Sequence, residues 1–348
     1  MNGNTSSMYT YDITPDGKEK EISSLFQTLT PDSILEHAEG FLGRYLSNFC
    51  RPLNSYINRV YELEDEDGER IIIKFYRPGR WRCEAIREEH EFLQELAEGE
   101  VPVISPLEGQ NADTMGNFGD IHFAMFPKKG GRYVDELNQE QWQALGRLLG
   151  RAHMIGAGAT CAYRPVLHPE QSVQSHLKYI LESQLLPRDL ETEYHRVVKE
   201  FITLATPLFQ NSEQIRIHAD CHSGNLIFRP DEGYYLIDLD DMAVGPPVQD
   251  FWMLLPGDRY QAQTELNWLL DGYETFREFD YGSLRLIEPL RAMRFIHYTA
   301  WCAYQVNADG QATVVPDFGT RSYWQKEIQD LIDQIKVIEK AQQEGHAF

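Results

Sequence analysis

Apolar residues recur through YINRVYEL and again through RIIIKFY, between Tyr56 and Tyr76, with the polar run EDEDG between them. Two such runs around turn-forming residues predict a β-hairpin. From Cys83 to Ala97 the chain lacks Gly and Pro and spaces Ile86, Phe92, Leu93 and Leu96 at roughly helical intervals. A helix therefore follows the hairpin and stops near Gly99. Two further strand-like stretches, VPVISPL and IHFAMF, flank a loop rich in Gly and Asn, and the second ends at Pro127 and the Gly130-Gly131 pair. Together these predict a small sheet with one helix, then a hinge.

Beyond the hinge the period changes. Trp142, Leu145, Leu148, Leu149 and Ala152 share one helical face, and helical patterns recur around 170–186, 191–209, 260–278, 283–306 and 321–342. They are interrupted by two short apolar runs, 226–228 and 234–237, with Pro230, Asp231 and Gly233 between them. The prediction is an α+β chain in two lobes: a flexible, polar extension over 1–25, a sheet-and-helix lobe over 26–127, and a larger, mainly helical lobe over 128–348.

Composition narrows the partners. Against 54 Asp and Glu stand 32 Lys and Arg, a formal charge of −22, which repels phosphate backbones and anionic lipid over most of the surface. Nucleic acid and membrane are thus unexpected partners, although a few inward-pointing cations can still bind a nucleotide. The five cysteines are scattered and form no C-x-x-C pair, and no signal-like or membrane-spanning run occurs, so a reducing, cytoplasmic setting is expected.

The segment His218-Ala219-Asp220-Cys221-His222-Ser223-Gly224-Asn225, followed by the second apolar pair and Asp238, carries the chemistry. Phosphoryl transfer needs a carboxylate to orient the attacking hydroxyl and oxygen ligands for magnesium. Asp220 fits the first role, while Asn225 and Asp238 fit the second; His218 would brace the loop. The alternation of His218, Asp220 and His222 also fits metal ligands in a hydrolase, but no second His/Asp cluster of comparable density completes such a site.

The N-terminal hairpin offers an independent test. Lys74 follows three isoleucines on the second strand, where an ammonium needs an anionic partner, and the next helix supplies Glu88 and Glu89. Glu89, in step with Leu93 and Leu96, is preferred. Ser55 and Asn58, in the loop before the first strand, would cover the phosphates. With Lys74, Glu89, Met125 and Phe126 they make up the nucleotide-binding candidates.

These residues resemble the aminoglycoside phosphotransferase and choline kinase family of the protein-kinase-like fold, whose members carry H-G-D-x-x-x-x-N and a following strand ending in I-D. Ala219 stands where Gly is usual, and its methyl is expected to fit if the backbone there avoids positive φ. The resemblance to that family's bacterial Ser/Thr protein kinases runs from about Leu53 almost to Val337. It rests on LNSYINRVYEL, IIIKFYRPGRW, EEHEFL, the GGR after the hinge, LGRLLGRAH, HADCHSGN, IDLDDMAVGPPVQDFWMLL and IEPLRAMR. It implies a monomer with ATP between two lobes, Asp220 and Asp238 as active-site acids, Asn225 and Asp238 on Mg2+, and Ser55 on ATP. The implied acceptor is a Ser or Thr hydroxyl of a protein, the kinase itself among the candidates. Small-alcohol phosphorylation and non-catalytic ATP binding are the alternatives. Asp250 is expected to anchor the catalytic loop, Asp241 to cap or solvate its own loop, and Arg291 and Arg294 to form a salt-bridged helix face with Glu288, with a place on the border of the acceptor cleft as the alternative.

Overall fold

The computed structural model describes residues 25–134, 136–257, 261–310 and 314–344, so nearly all of the expected N-terminal extension lies outside the described residues. The first lobe holds more structure than the hairpin pattern predicts. Helix α1 (Pro31–Leu42) starts at a Thr30–Ser33 capping box with Pro at its first turn and ends at Gly43 in the left-handed region. Strands β1 (Leu46–Leu53), β2 (Arg59–Asp65) and β3 (Arg70–Phe75) follow, then α2 (Cys83–Glu98), β4 (Gly116–Phe118) and β5 (Ile121–Pro127). All pairings are antiparallel, in the order β1-β2-β3-β5-β4.

The alternation of β3 divides its side chains between the two faces of the sheet. Ile71, Ile73 and Phe75 join Ile34, Ala38 and Met125 in a core beneath α1. Lys74, opposite Ala124 in the register, lies on the other face, toward α2. VPVISPL is not a strand, contrary to expectation. Pro102 and Pro106 remove two ladder donors, and the stretch makes a single bridge, Val103 to Leu236, with Leu236 N donating to Pro102 O and Leu107 N to Met125 O.

The larger lobe is built on α3 (Gln139–Gly156), α4 (Gln174–Glu182), α5 (Arg188–Ala205), a one-turn α6 (Gln249–Trp252), α7 (Gln263–Tyr273), α8 (Ile287–Asp309) and α9 (Arg321–Glu344). The helical pattern expected from 170 opens instead with a π-type turn over Pro169–Val173, and the one expected from 283 with a 3-10 turn over Tyr281–Leu286. Helices α3 and α7 meet through glycines: a Cβ on Gly146 would lie 1.9 Å from Leu269 O. Two ribbons interrupt the helices, β6 (Ile215–Ile217) with β9 (Ala243–Gly245) and β7 (Leu226–Arg229) with β8 (Gly233–Leu236). Residues 218–225 run from β6 into β7, and Asp238 follows β8, so the two ribbons bring both ends of the sequence motif together. Among the described residues, no helix is long and apolar enough to cross a membrane.

Candidate active site

Lys74 sits at the junction of the lobes with little solvent contact. Its Nζ lies 3.1 Å from Asp240 Oδ1, 3.4 Å from Asp238 Oδ1 and 3.6 Å from Glu89 Oε1. Burial works against the ammonium, but Asp240 and Glu89 outweigh it and hold Lys74 charged well beyond the ordinary lysine range. Glu88, the alternative partner, points elsewhere: its carboxylate accepts hydrogen bonds from the backbone N–H groups of Ala162 and Tyr163.

The Asp240 carboxylate is the hub of this junction. It pairs with Arg80 as well as Lys74 and accepts a hydrogen bond from Asn58 Nδ2 at 3.2 Å. Burial pushes its carboxyl up, yet Arg80, Lys74 and Arg164 together hold it below the usual carboxylate range. Asp241, expected to be a capping or solvated residue, is instead paired with Arg80 Nη2 at 2.6 Å. Asn58 also accepts from Arg77 N at 3.1 Å, so one end of its amide holds the loop to the segment after β3 and the other to Asp240 of the larger lobe. Ser55 lies half-buried in the loop between β1 and β2.

Arg164 escaped the sequence reading. Fully buried, it donates to Ala85 O at 2.8 Å, to Asp240 O at 2.6 Å and to Glu89 Oε2 at 2.9 Å, so one guanidinium ties α2 to the loop after β8. No local pattern marks it, because Glu89 is 75 residues away in sequence. Arg80 is different: it belongs to the R-P-G-R-W run directly after the lysine strand, one of the segments that carry the family resemblance.

On the larger lobe, Asp220 is mostly shielded. Its Oδ1 lies 2.8 Å from Arg294 Nη2, and its Oδ2 lies 3.4 Å from Asn225 Nδ2 and 3.5 Å from His222 Nε2. Burial raises the Asp220 carboxyl, but His222 and Arg294 outweigh it and leave the group below its ordinary value. Asn225 Nδ2 also donates to Asp220 O at 3.0 Å, which leaves the amide oxygen as the side chain's remaining donor atom for a cation. Asp238 adopts φ 58 and ψ 65, and its side chain is 57% exposed beside Lys74. A carboxylate and an amide oxygen suit a hard divalent ion that keeps phosphate and water ligands.

His218 braces the loop: its Nε2 contacts Ile237 O at 2.9 Å, and its Nδ1 accepts from Asp220 N at 3.3 Å. With both ring nitrogens engaged it is not placed as a metal ligand. Among the described residues, no group of three His, Cys, Asp or Glu is placed to hold a metal. Asp250 anchors the same loop from α6. It is buried, with Oδ2 accepting from His218 N and Oδ1 from Ala219 N, each at 2.8 Å, and with His153 Nε2 3.0 Å from Oδ2.

One expectation needs correction. Ala219 does adopt positive φ, at 66°; the pair of N–H groups turned onto Asp250 holds it there, and its buried side chain packs with Ile215, Ile217 and Ala243. Met125 pairs with Ile73 in the register and is buried beneath α1, so its side chain points away from Lys74. Phe126, opposite Ile72, shares the Lys74 face.

Comparison with known proteins places this geometry in a family. Residues 50–287 match the family model described as phosphotransferase enzyme family. The chain is 38% identical over 320 residues to stress response kinase A of Escherichia coli (strain K12), covering 90% of this chain and 95% of the relative. It is 36% identical over 314 residues to the serine/threonine protein kinase RdoA of Salmonella typhimurium, covering 90% and 94%. Among solved structures, an amicoumacin kinase in complex with AMP-PNP, Ca2+ and Ami aligns with a TM-score of 0.71 at 20% identity, covering 88% of this chain and 95% of that one, a likeness of fold. The chain belongs to the phosphotransferase enzyme family, on the branch of the stress response kinases.

Proposed function

We propose that the protein transfers the γ-phosphoryl group of ATP, with Mg2+, to Ser or Thr hydroxyls of a protein, acting as a cytoplasmic monomer. The observation that carries this reading is the convergence of Lys74–Glu89 from the sheet lobe with Asp220, Asn225 and Asp238 from the ribbons of the helical lobe. ATP would lie between the lobes, with its phosphates at Lys74 beneath the loop bearing Ser55 and its base near Phe126. Asn225 and Asp238 would hold magnesium, which when bound offsets charge on the phosphates.

The acceptor oxygen forms a bond to the γ-phosphorus while the bond from that phosphorus to the β,γ-bridging oxygen breaks, its electron pair leaving on ADP. The hydroxyl proton passes to the Asp220 carboxylate and from there to solvent. Most of the rate advantage would come from positioning and from charges fixed in advance. Lys74 is set by three carboxylates and the catalytic loop by Asp250, so neither needs to reorganise when substrates arrive.

The protein acceptor is supported by the two relatives above, one of them named for Ser/Thr kinase activity. A small alcohol is the alternative acceptor. The test is γ-labelled ATP and Mg2+ with the purified protein, alone, with a generic protein acceptor and with small alcohols, alongside Asp220→Asn and Asp238→Ala. Label on protein Ser or Thr that disappears in both variants supports the proposal. Label only on small alcohols moves the acceptor to metabolites, and absence of ADP under every condition leaves a nucleotide-binding regulator.

A further inference from the structure

Arg291 and Arg294 lie one turn apart on α8, and their surroundings differ. Arg291 Nε is 3.3 Å from Glu288 Oε2, and its guanidinium packs 4.8 Å from the Trp252 ring centroid, as a structural arginine does. Arg294 reaches instead into the loop that carries the chemistry. Among the described residues its one ion-pair partner is Asp220, at 2.8 Å, and 30% of its side chain remains exposed.

The cleft it lines is formed by Ala219 and Gln249 on the loop side, by Asp241, and by Met293, Arg294 and His297 on α8. The other polar groups there are committed or uncharged. Asp241 is paired with Arg80, and burial holds His297, like the neighbouring His176, far below the ordinary histidine value. Arg294 is therefore the only fixed cation lining the cleft among the described residues.

The two oxygens of Asp220 are not equivalent. Oδ1 is buried and lies 2.8 Å from Arg294 Nη2 as an ion pair without hydrogen-bond geometry, while Oδ2 accepts from Asn225 Nδ2 at 3.4 Å and lies 3.5 Å from His222 Nε2. A guanidinium this close draws the buried oxygen by charge and so biases the orientation of the carboxylate.

We propose that Arg294 is a positioning residue of the phosphotransfer: its charge holds the buried Oδ1 of Asp220, leaves Oδ2 to meet an acceptor hydroxyl, and acts on the reaction only through that carboxylate. This rests on the kinase reading above. The acceptor proton goes to Oδ2, so the Oδ1 contact is kept throughout the step and Arg294 transfers no proton.

The experiment is a double-mutant cycle of Arg294→Ala and Asp220→Asn on the full chain, read as single-turnover phosphotransfer from labelled ATP and as steady-state kcat and KM. Arg294→Lys and Arg291→Ala accompany the cycle, and nucleotide Kd and Tm are recorded for each protein. Arg294→Ala should lower kcat about 30-fold, part of the 10²–10⁴ that a positioned base supplies, with KM for ATP and acceptor within about twofold. In the Asp220→Asn background the same change should lower the rate by less than about twofold, since effects routed through one group do not add. Arg294→Lys, with charge but no fork, should fall between, and Arg291→Ala should match the parent.

An equal loss in both backgrounds would overturn the proposal and make Arg294 act directly on the phosphoryl group. A rise in acceptor KM at constant kcat would overturn it in favour of acceptor binding, and an unchanged kcat would make the ion pair a spectator. If Asp220→Asn itself kept the parent rate, the failure would lie in the kinase reading and not in the role of Arg294.

Discussion

Replacing Arg164 by Met removes a cation from a buried network and keeps most of its volume. The guanidinium makes three hydrogen bonds, to Ala85 O, Asp240 O and Glu89 Oε2, and lies 4.6 Å from the Trp81 ring centroid. Breaking a buried ion pair from one side costs about 3–5 kcal/mol, and each orphaned carbonyl adds about 1 kcal/mol or more. These terms overlap, so a loss of about 4–5 kcal/mol is expected, a large part of the ordinary 5–15 kcal/mol total. Urea unfolding measures it directly. Much of the cost comes from the charge left on Glu89, whose carboxyl burial already pushes upward against Lys74 and Arg164. Arg164→Met with Glu89→Gln should therefore be about 2 kcal/mol more stable than Arg164→Met alone, although it lacks one more polar contact. With α2 less firmly held, the nucleotide KM should rise about tenfold, equivalent to about 1.4 kcal/mol. A single-variant cost below 1 kcal/mol, or no recovery on neutralising Glu89, would refute this account of the junction.

Ala219→Gly should relieve the left-handed backbone at φ 66, a strain of about 1 kcal/mol, while losing a methyl worth about 0.8 kcal/mol and adding chain entropy; stability within about 1 kcal/mol of the parent by urea unfolding is expected, with activity unchanged. Gly146→Ala should push α3 from α7, because the new Cβ would lie 1.9 Å from Leu269 O and 2.7 Å from Tyr273 N, and should cost about 3 kcal/mol, whereas Gly40→Ala, with no atom within 4 Å, should be neutral or stabilising in the same Tm series. Burial raises Glu327 on α9 from 4.5 to about 7. The folded state then keeps a proton that the unfolded chain releases, so stability should fall as pH rises through that window, by up to about 3 kcal/mol. Glu327→Gln should flatten the profile and gain roughly 2 kcal/mol at pH 8 in denaturant titrations.

Much of the candidate site is legible along the chain because its parts are local. Asp220 and Asn225 share one loop, Asp238 ends the ribbon that the loop feeds, and Lys74 interrupts an isoleucine run whose alternation leaves it on one face of the sheet. The helices of the larger lobe are legible for the same reason, since their apolar period is carried by consecutive turns. The strand expected at VPVISPL fails because its prolines outweigh its hydrophobicity. Helix α1 carries its caps in the sequence, at Thr30, Ser33 and Gly43, but its single buried stripe is short.

What the sequence by itself determined is the kind of chemistry: a carboxylate, an amide oxygen and a second carboxylate at fixed spacing, with a lysine and a glutamate apart from them, on a two-lobed α+β chain. Only the tertiary structure decided how those groups are charged and held. Asp240 became the hub because Lys74 and Arg80 converge on it from the other lobe, Arg164 reached Glu89 across 75 residues, and of two arginines on one helix face only Arg294 met Asp220. Ion pairs of this kind carry no periodic signature: a guanidinium at the end of a long side chain finds its partner through the packing of whole elements, which no local spacing records.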